Sequence, residues 1–235
     1  MSDVLMKNAA SPRTTVAIQA IASWAFARSD VLRRKVRNAG EIADFVEWQT
    51  SRFGRTRTYR SRERLWSALC ERISPGESWH GLEFGVAWGY ATGWWLDRLP
   101  SGDGITWDGF DLFTGLPRAW RDHDKGAFDA GGEPPAIHDP RLRWHIGDVA
   151  ETVVAMDATQ VAEGRRLVLF DLDLYEPTAA AWDFVRPLLR PGDLLYFDEA
   201  MDADERRILD ELVLPSMNFE YVGSTSLALG LAVQT

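Results

Sequence analysis

Residues Gly81 to Leu96, GLEFGVAWGYATGWWL, constrain the fold of this chain more than any other stretch. Leu82, Phe84 and Val86 form an apolar run that carries Glu83. Gly85, Gly89 and Gly93 follow at four-residue spacing, and beyond Tyr90 the pattern turns helical. A strand, a tight glycine turn and a helix in that order mark where an open α/β sheet takes in a nucleotide-like ligand. Gly85 and Gly89 let a backbone turn sharply and approach a ligand with no Cβ in the way. No glycine lies two residues after Gly85, so the GxGxxG spacing of a dinucleotide fold is missing.

The rest of the chain extends that pattern. Strands are predicted at His80–Phe84, Ile105–Phe110, Leu142–Ile146, Leu167–Phe170 and Leu194–Phe197. Helices are predicted at Tyr90–Leu99, Val149–Met156, Pro177–Leu189 and Asp202–Leu212. Phe219–Val222 and Leu227–Val233, with Gly223-Ser224 between them, read as a terminal β-hairpin. Short apolar strands alternating with helices argue for a parallel sheet covered on both faces, and the hairpin adds an antiparallel part. Asp111 to Pro140 is an irregular stretch rich in glycine and proline, and a loop of that length is expected to act as a lid.

Upstream, residues 1–12 read as a frayed leader and Thr14–Ala27 as an apolar helix. Two short helices, Val31–Val36 and Glu41–Trp48, are expected on either side of a break at Gly40. An arginine-rich stretch, SRFGRTRTYRSRER, follows. It reads as a solvated face, or as a lip that attracts an anionic substrate through arginine's forked donors. The expected division is a helical extension or lid over 1–75 and a ligand-binding domain over 76–235.

Charge separates the same two parts. Residues 1–75 carry 14 Lys/Arg against 7 Asp/Glu, whereas residues 76–235 carry 12 against 28, and the whole chain is at −9. An acidic main domain repels phosphate backbones, so nucleic acid is not the expected substrate. Cys70 is the only cysteine, which excludes an internal disulfide and a four-cysteine zinc site. No apolar run is long enough to span a bilayer, the N-terminus lacks a basic-then-apolar secretory pattern, and the expected location is cytoplasmic.

Every predicted parallel strand ends in an acid: Glu83, Asp111, Asp148 after Gly147, Asp171 with Asp173, and Asp198-Glu199. Taken singly, each carboxylate is an ordinary cap or turn former. Five in a row line the carboxyl edge of the sheet, where ligands of such folds bind. A carboxylate accepts both hydroxyls of a ribose, which suits Asp111, and Asp148 is placed to meet an adenine amino group. The acids after the fourth and fifth strands are hard oxygen donors suited to Mg²⁺. His123 in the long loop is a candidate proton acceptor. His80 and His145 lie within strands and read as structural.

The segments GFDLFTGLPRAW, DKGAFDAGG, GDVAET, FDLDLYEPT and PGDLLYFDE, in this order, resemble the macrocin O-methyltransferase-like group of class I S-adenosylmethionine-dependent methyltransferases. The resemblance covers roughly Gly81 to Glu199. It implies a Rossmann-like, seven-stranded, mostly parallel sheet with a C-terminal antiparallel hairpin, helices on both faces and an N-terminal helical extension. It implies S-adenosylmethionine held by Glu83, Phe84, Gly85, Gly89, Asp111, Leu112, Phe113, Gly147, Asp148 and Asp171. Mg²⁺ would be held by Asp171, Asp198 and Glu199, and Asp171, Asp173 and His123 would serve catalysis. The implied reaction is O-methylation of a sugar or natural-product hydroxyl on a small-molecule acceptor. Two positions depart from the pattern: Glu199 stands where metal-dependent members more often carry Asp or Asn, and Leu174 where catechol-type enzymes carry a lysine. Two alternatives stand beside this reading, a degenerate methyltransferase fold used as a binding or assembly partner and a nicotinamide-dependent oxidoreductase. The apolar N-terminal helix would cover the site or pair with a second subunit.

Overall fold

The computed structural model describes residues 29–54, 57–100, 104–156, 161 and 163–234. The chain forms two compact units, Met1–Trp48 and Gln49–Thr235. The leader and the helix expected over Thr14–Ala27 lie outside the described residues. Helix α1 spans Asp30–Phe53 without interruption, so the break expected at Gly40 does not occur. A lone glycine inside a helix costs only about 1 kcal/mol relative to alanine, which the surrounding turns absorb.

In the second unit, α2 (Arg62–Cys70) precedes a seven-stranded sheet. Its strands are β1 (Trp79–Phe84), β2 (Ile105–Asp111), β3 (Leu142–Ile146), β4 (Arg165–Phe170), β5 (Leu194–Phe197), β6 (Phe219–Ser224) and β7 (Leu229–Val233). The spatial order is β3-β2-β1-β4-β5-β7-β6. The first five strands are parallel, and β7 enters antiparallel between β5 and β6. Between the strands run α3 (Tyr90–Leu96), α4 (Val149–Ala155), α5 (Tyr175–Val185) and α6 (Ala203–Ile208). The expected fold is therefore present. Helix α6 ends early because Leu209–Val213 widens into a π-turn, and α5 passes into a 3₁₀ turn at Arg186–Leu188. The hairpin turn also falls later than expected, because Gly223 and Ser224 belong to β6 itself.

Alternation along the strands gives the two faces different cores. On one face Trp79, Trp107, Leu167, Leu169, Leu194 and Tyr196 meet Leu65, Trp66 and Leu69 of α2 and Trp95 of α3. Trp107 fits there because Gly81 opposite it has no Cβ: one would lie 2.1 Å from the indole. On the other face, stacked rings run across five strands at their carboxyl ends. They are His145, Phe110, Phe84, Phe170 and Phe197, with neighbouring centroids 4.3 to 5.7 Å apart. Such offset stacks add about 0.5–1.5 kcal/mol per pair beyond burial, and this one makes a stiff floor beneath the strand-end acids. Both strand histidines have side-chain partners: His80 Nδ1 lies 2.6 Å from Thr106 Oγ1, and His145 Nε2 lies 2.8 Å from the buried Asp108. Among the described residues no helix is long and apolar enough to cross a membrane.

Candidate functional site

The strand order reverses between β1 and β4, which opens a crevice at the carboxyl ends of these two strands. The backbones stay paired just past it. Gly85 N donates to Phe110 O (2.9 Å), Asp171 N to Phe84 O (2.8 Å) and Asp198 N to Phe170 O (3.0 Å). Gly85 has φ +89°, and a Cβ on it would sit 1.8 Å from the carbonyl oxygen of Asp171. Its freedom thus serves a backbone-to-backbone contact as well as a turn. Gly85→Ala is expected to lower stability on the order of 3–5 kcal/mol, combining left-handed strain with overpacking. A denaturant melt with an unchanged midpoint would mean that β1 and β4 need not approach so closely.

Glu83 is buried on the tryptophan face. Its Oε2 accepts hydrogen bonds from Thr92 Oγ1 (2.7 Å) and Trp107 Nε1 (2.8 Å), while its Oε1 has no partner among the described residues. Burial pushes its carboxyl up to about 7, against the pull of those two donors. Asp111 caps the glycine turn. Its Oδ2 accepts from the backbone N–H of Val86 (2.7 Å) and Ala87 (2.8 Å), and its Oδ1 from that of Phe113 (2.7 Å). These bonds hold Ala87 and Phe113 in left-handed conformations, at φ +48° and +57°. Asp148 acts as the N-cap of α4, its Oδ1 accepting from Ala150 N at 2.8 Å, and Gly147 N bonds Asp111 O. Phe84 and Phe113 are fully buried, with Leu112 half-buried between Asp111 and Phe113.

Past β4 and β5 the acids crowd together. Burial, then Asp198 and Asp173, push Asp171 well above the carboxylate range. Burial and Asp198 bring Asp173 up to about 7, and the same causes bring Glu199 to about 8. Asp173 is a non-glycine residue at φ +62°, a strained conformation of the kind that gathers at functional sites. The Tyr196 hydroxyl donates to Asp198 Oδ1, and Arg62 Nη1 lies 3.6 Å from its Oδ2. Arg121, from the long loop, lies 3.6 Å from Glu199 and 3.7 Å from Asp202. The buried Glu205 accepts the Glu199 N–H at 3.0 Å.

Asp171, Asp173, Asp198 and Glu199, grouped from the sequence, act on one another electrostatically. The donor chemistry suits a hard cation, but among the described residues no three His, Cys, Asp or Glu side chains are arranged as a metal-ligand set. Two guanidiniums stand against the carboxylates instead. His123 lies apart from this arrangement in its contacts, stacked with Trp120 (5.8 Å) and tilted against Phe128 (4.8 Å).

The loop between β2 and β3 has a small core of its own in which Leu116 and Trp120 pack with Leu174. Arg118 ties it to Glu176 (2.9 Å) and Asp204 (3.4 Å). Leu174, the residue in the lysine position, is thus the apolar anchor of the loop. Arg62, Arg121, Tyr196 and Glu205 escaped prediction as site residues. Only Arg62 had a signal, its membership of the arginine stretch. Glu205, in DADERR, reads as a solvated helix residue until the fold buries it.

This sheet, with its reversal between β1 and β4 and its antiparallel β7, is the Rossmann-like methyltransferase fold. No family model and no curated protein matches the chain. Among solved structures it is similar to the calicheamicin methyltransferase CalS11, with 23% identity over 95% of this chain and 94% of that one and a TM-score of 0.57. The apo form of CalS11, described as a TDP-rhamnose 3'-O-methyltransferase, gives 23% identity, 98% coverage of both chains and a TM-score of 0.54. The O-methyltransferase NovP gives 17% identity over 74% of this chain and 80% of that one, also at a TM-score of 0.54. At these identities the likeness is one of fold.

Proposed function

We propose that this protein is an S-adenosylmethionine-dependent methyltransferase acting on a hydroxyl of a small molecule. The observation that carries the reading is Glu83 Oε1, a carboxylate oxygen shut away from solvent with no hydrogen-bond partner among the described residues, two residues before Gly85. A buried carboxyl with one oxygen unsatisfied suits a cationic ligand group such as the cofactor's ammonium. Asp111 is assigned to the ribose: its Oδ1 retains a lone-pair site for a hydroxyl after accepting from Phe113, whereas Oδ2 spends both of its sites on Val86 and Ala87. Gly85, Gly89 and Gly147-Asp148 are assigned to the same cofactor site, supported by Gly85 packed on Asp171 and by Gly147 N bonded to Asp111 O. When bound, the cofactor supplies a methyl group already activated by its sulfonium.

The protein's own task is to align a hydroxyl and remove its proton. Asp173, brought to about 7 by burial and Asp198, has the proton affinity that a base needs near neutrality. Asp171 lies beside it, and His123 is a further acceptor if the loop shifts. Arg62 and Arg121 hold Asp198 and Glu199 in place. A sugar or natural-product acceptor is supported by the activity described for CalS11 and by the acidic main domain, which disfavours nucleic acid. A cytoplasmic location remains part of this proposal. So does Mg²⁺ at Asp171, Asp198 and Glu199, supported by donor chemistry and by mutual repulsion that a cation would relieve.

Titration calorimetry with S-adenosylmethionine and S-adenosylhomocysteine, each with and without MgCl₂, tests both parts. Micromolar binding is expected. Preferential binding of NAD would sink the proposal in favour of an oxidoreductase, and cofactor binding with no turnover on any sugar or phenolic acceptor would favour a binding protein. Affinities and rates unchanged by MgCl₂ and by EDTA would remove the metal.

A further inference from the structure

We propose that a surface cavity between α2 and α3 binds the phosphate group of a small molecule. The cavity holds about 340 Å³ and is walled by Arg57, Arg64 and Arg98 together with Tyr59 and Trp94. The structure sorts the arginine stretch into separate tasks. Arg52 pairs with Asp210 at 2.8 Å and Arg62 faces Asp198, whereas Arg57 and Arg64 turn to the cavity and the turn after α3 adds Arg98. None of these three lining guanidiniums forms an ion pair among the described residues.

Two of them are steadied by aromatic rings rather than by acids. The Arg98 guanidinium lies 4.2 Å from the centre of the Trp94 ring, and that of Arg57 lies 5.2 Å from the Tyr59 ring. Stacking on a ring fixes a guanidinium plane and leaves most of its N–H edge free to donate. Arg98 uses one donor, Nη1 to Trp94 O at 3.1 Å. Two carboxylates share the wall, Glu63 and Glu71. Glu63 is engaged by the Tyr90 hydroxyl at 3.0 Å, and the three guanidiniums outnumber the pair. Forked donors converging from α2, the turn after α3 and the 57–59 segment match a multiply charged oxyanion with several acceptor oxygens. The volume suits a small molecule. The segment itself is anchored, since Tyr59 N donates to Ser224 O (2.7 Å) and Ser224 N to Arg57 O (2.9 Å) at the end of β6.

The phosphate has two sources, a free inorganic anion or a nucleotide. Titration calorimetry of the full chain with sodium pyrophosphate and with ADP distinguishes them. Saturable pyrophosphate binding is expected, weakened at least tenfold in the double variant Arg64→Gln/Arg98→Gln and unchanged in Arg52→Gln. ADP binding tightened over pyrophosphate would assign the site to nucleotides, and equal affinities to the phosphate alone. All three substituted arginines are exposed, so the fold is expected to survive, and matching circular dichroism melts check this. Arg57→Gln offers a second, single substitution in the same wall. No saturable binding of either probe, or binding that the double variant retains, would overturn the proposal. S-adenosylmethionine affinity is expected to stay the same in the double variant, so this test and that of the proposed activity can fail separately.

Discussion

Asp171→Asn is expected to lower turnover by between roughly 10²- and 10⁴-fold, the range for disabling acid–base catalysis, here as the neighbour that shares the proton-accepting site with Asp173, with cofactor affinity nearly intact. Asp171 stands at the point where β1, β4 and β5 meet. Its backbone N–H bonds Phe84 O, and its carboxyl faces the repulsion of Asp198, Asp173, Glu205 and Glu199. The amide keeps the shape and cannot ionise within that crowd. The variant should therefore melt at the same temperature as the parent or higher at pH 8, and lost turnover cannot be assigned to unfolding. Single-turnover rates beside calorimetric affinity separate the two effects. Turnover that survives the substitution would deny Asp171 a role as base or as metal ligand.

Glu83→Gln should stabilise the free protein and weaken its hold on the cofactor. In the fold the Glu83 carboxyl titrates near 7 rather than at its ordinary 4.5, because burial disfavours the charged form. Its contribution to stability is therefore fully present below pH 4.5 and is lost as pH rises through about 7. The loss is on the order of 3 kcal/mol. Glutamine removes that dependence, and its carbonyl oxygen still accepts from Trp107 and Thr92. Denaturant midpoints are expected to fall with pH less steeply for the variant than for the parent, the remaining slope coming from Asp171, Asp173 and Glu199. Affinity for S-adenosylmethionine should drop by about 1.5–3 kcal/mol, the range for a hydrogen bond to a charged group. In the parent, binding a cation at Oε1 should release a proton near pH 7, visible as a binding heat that depends on the buffer. Unchanged affinity would remove Glu83 from the cofactor site, whatever its effect on stability.

The long loop joins the site to the rest of the fold. Arg121 faces Glu199 and Asp202 while Arg118 faces Glu176 and Asp204, so the loop meets the acidic edge through two guanidiniums. Trp120 and Leu116 on Leu174 supply the apolar side of the same attachment. A stretch that looks like punctuation in the sequence is a packed segment because these few side chains reach elements far along the chain.

The sequence by itself determined the sheet and its carboxyl edge. The apolar runs Leu167–Phe170 and Leu194–Phe197 lie in strands as expected because continuous apolar side chains suit a position covered on both faces. The acids that follow them lie at one edge because parallel strands end on the same side. Only the tertiary structure decided which acids share a site and what charge they face. Gly40 was misjudged because one glycine is a weak breaker once the turns on both sides are helical. Asp148 serves a helix terminus, while Arg62, Arg121 and Glu205 are brought to Asp198 and Glu199 from α2, the loop and α6. Local sequence encodes periodicity and turn chemistry. Burial and Coulomb coupling depend on neighbours that are distant in the chain, and these give Glu83, Asp173 and Glu199 their proton affinities.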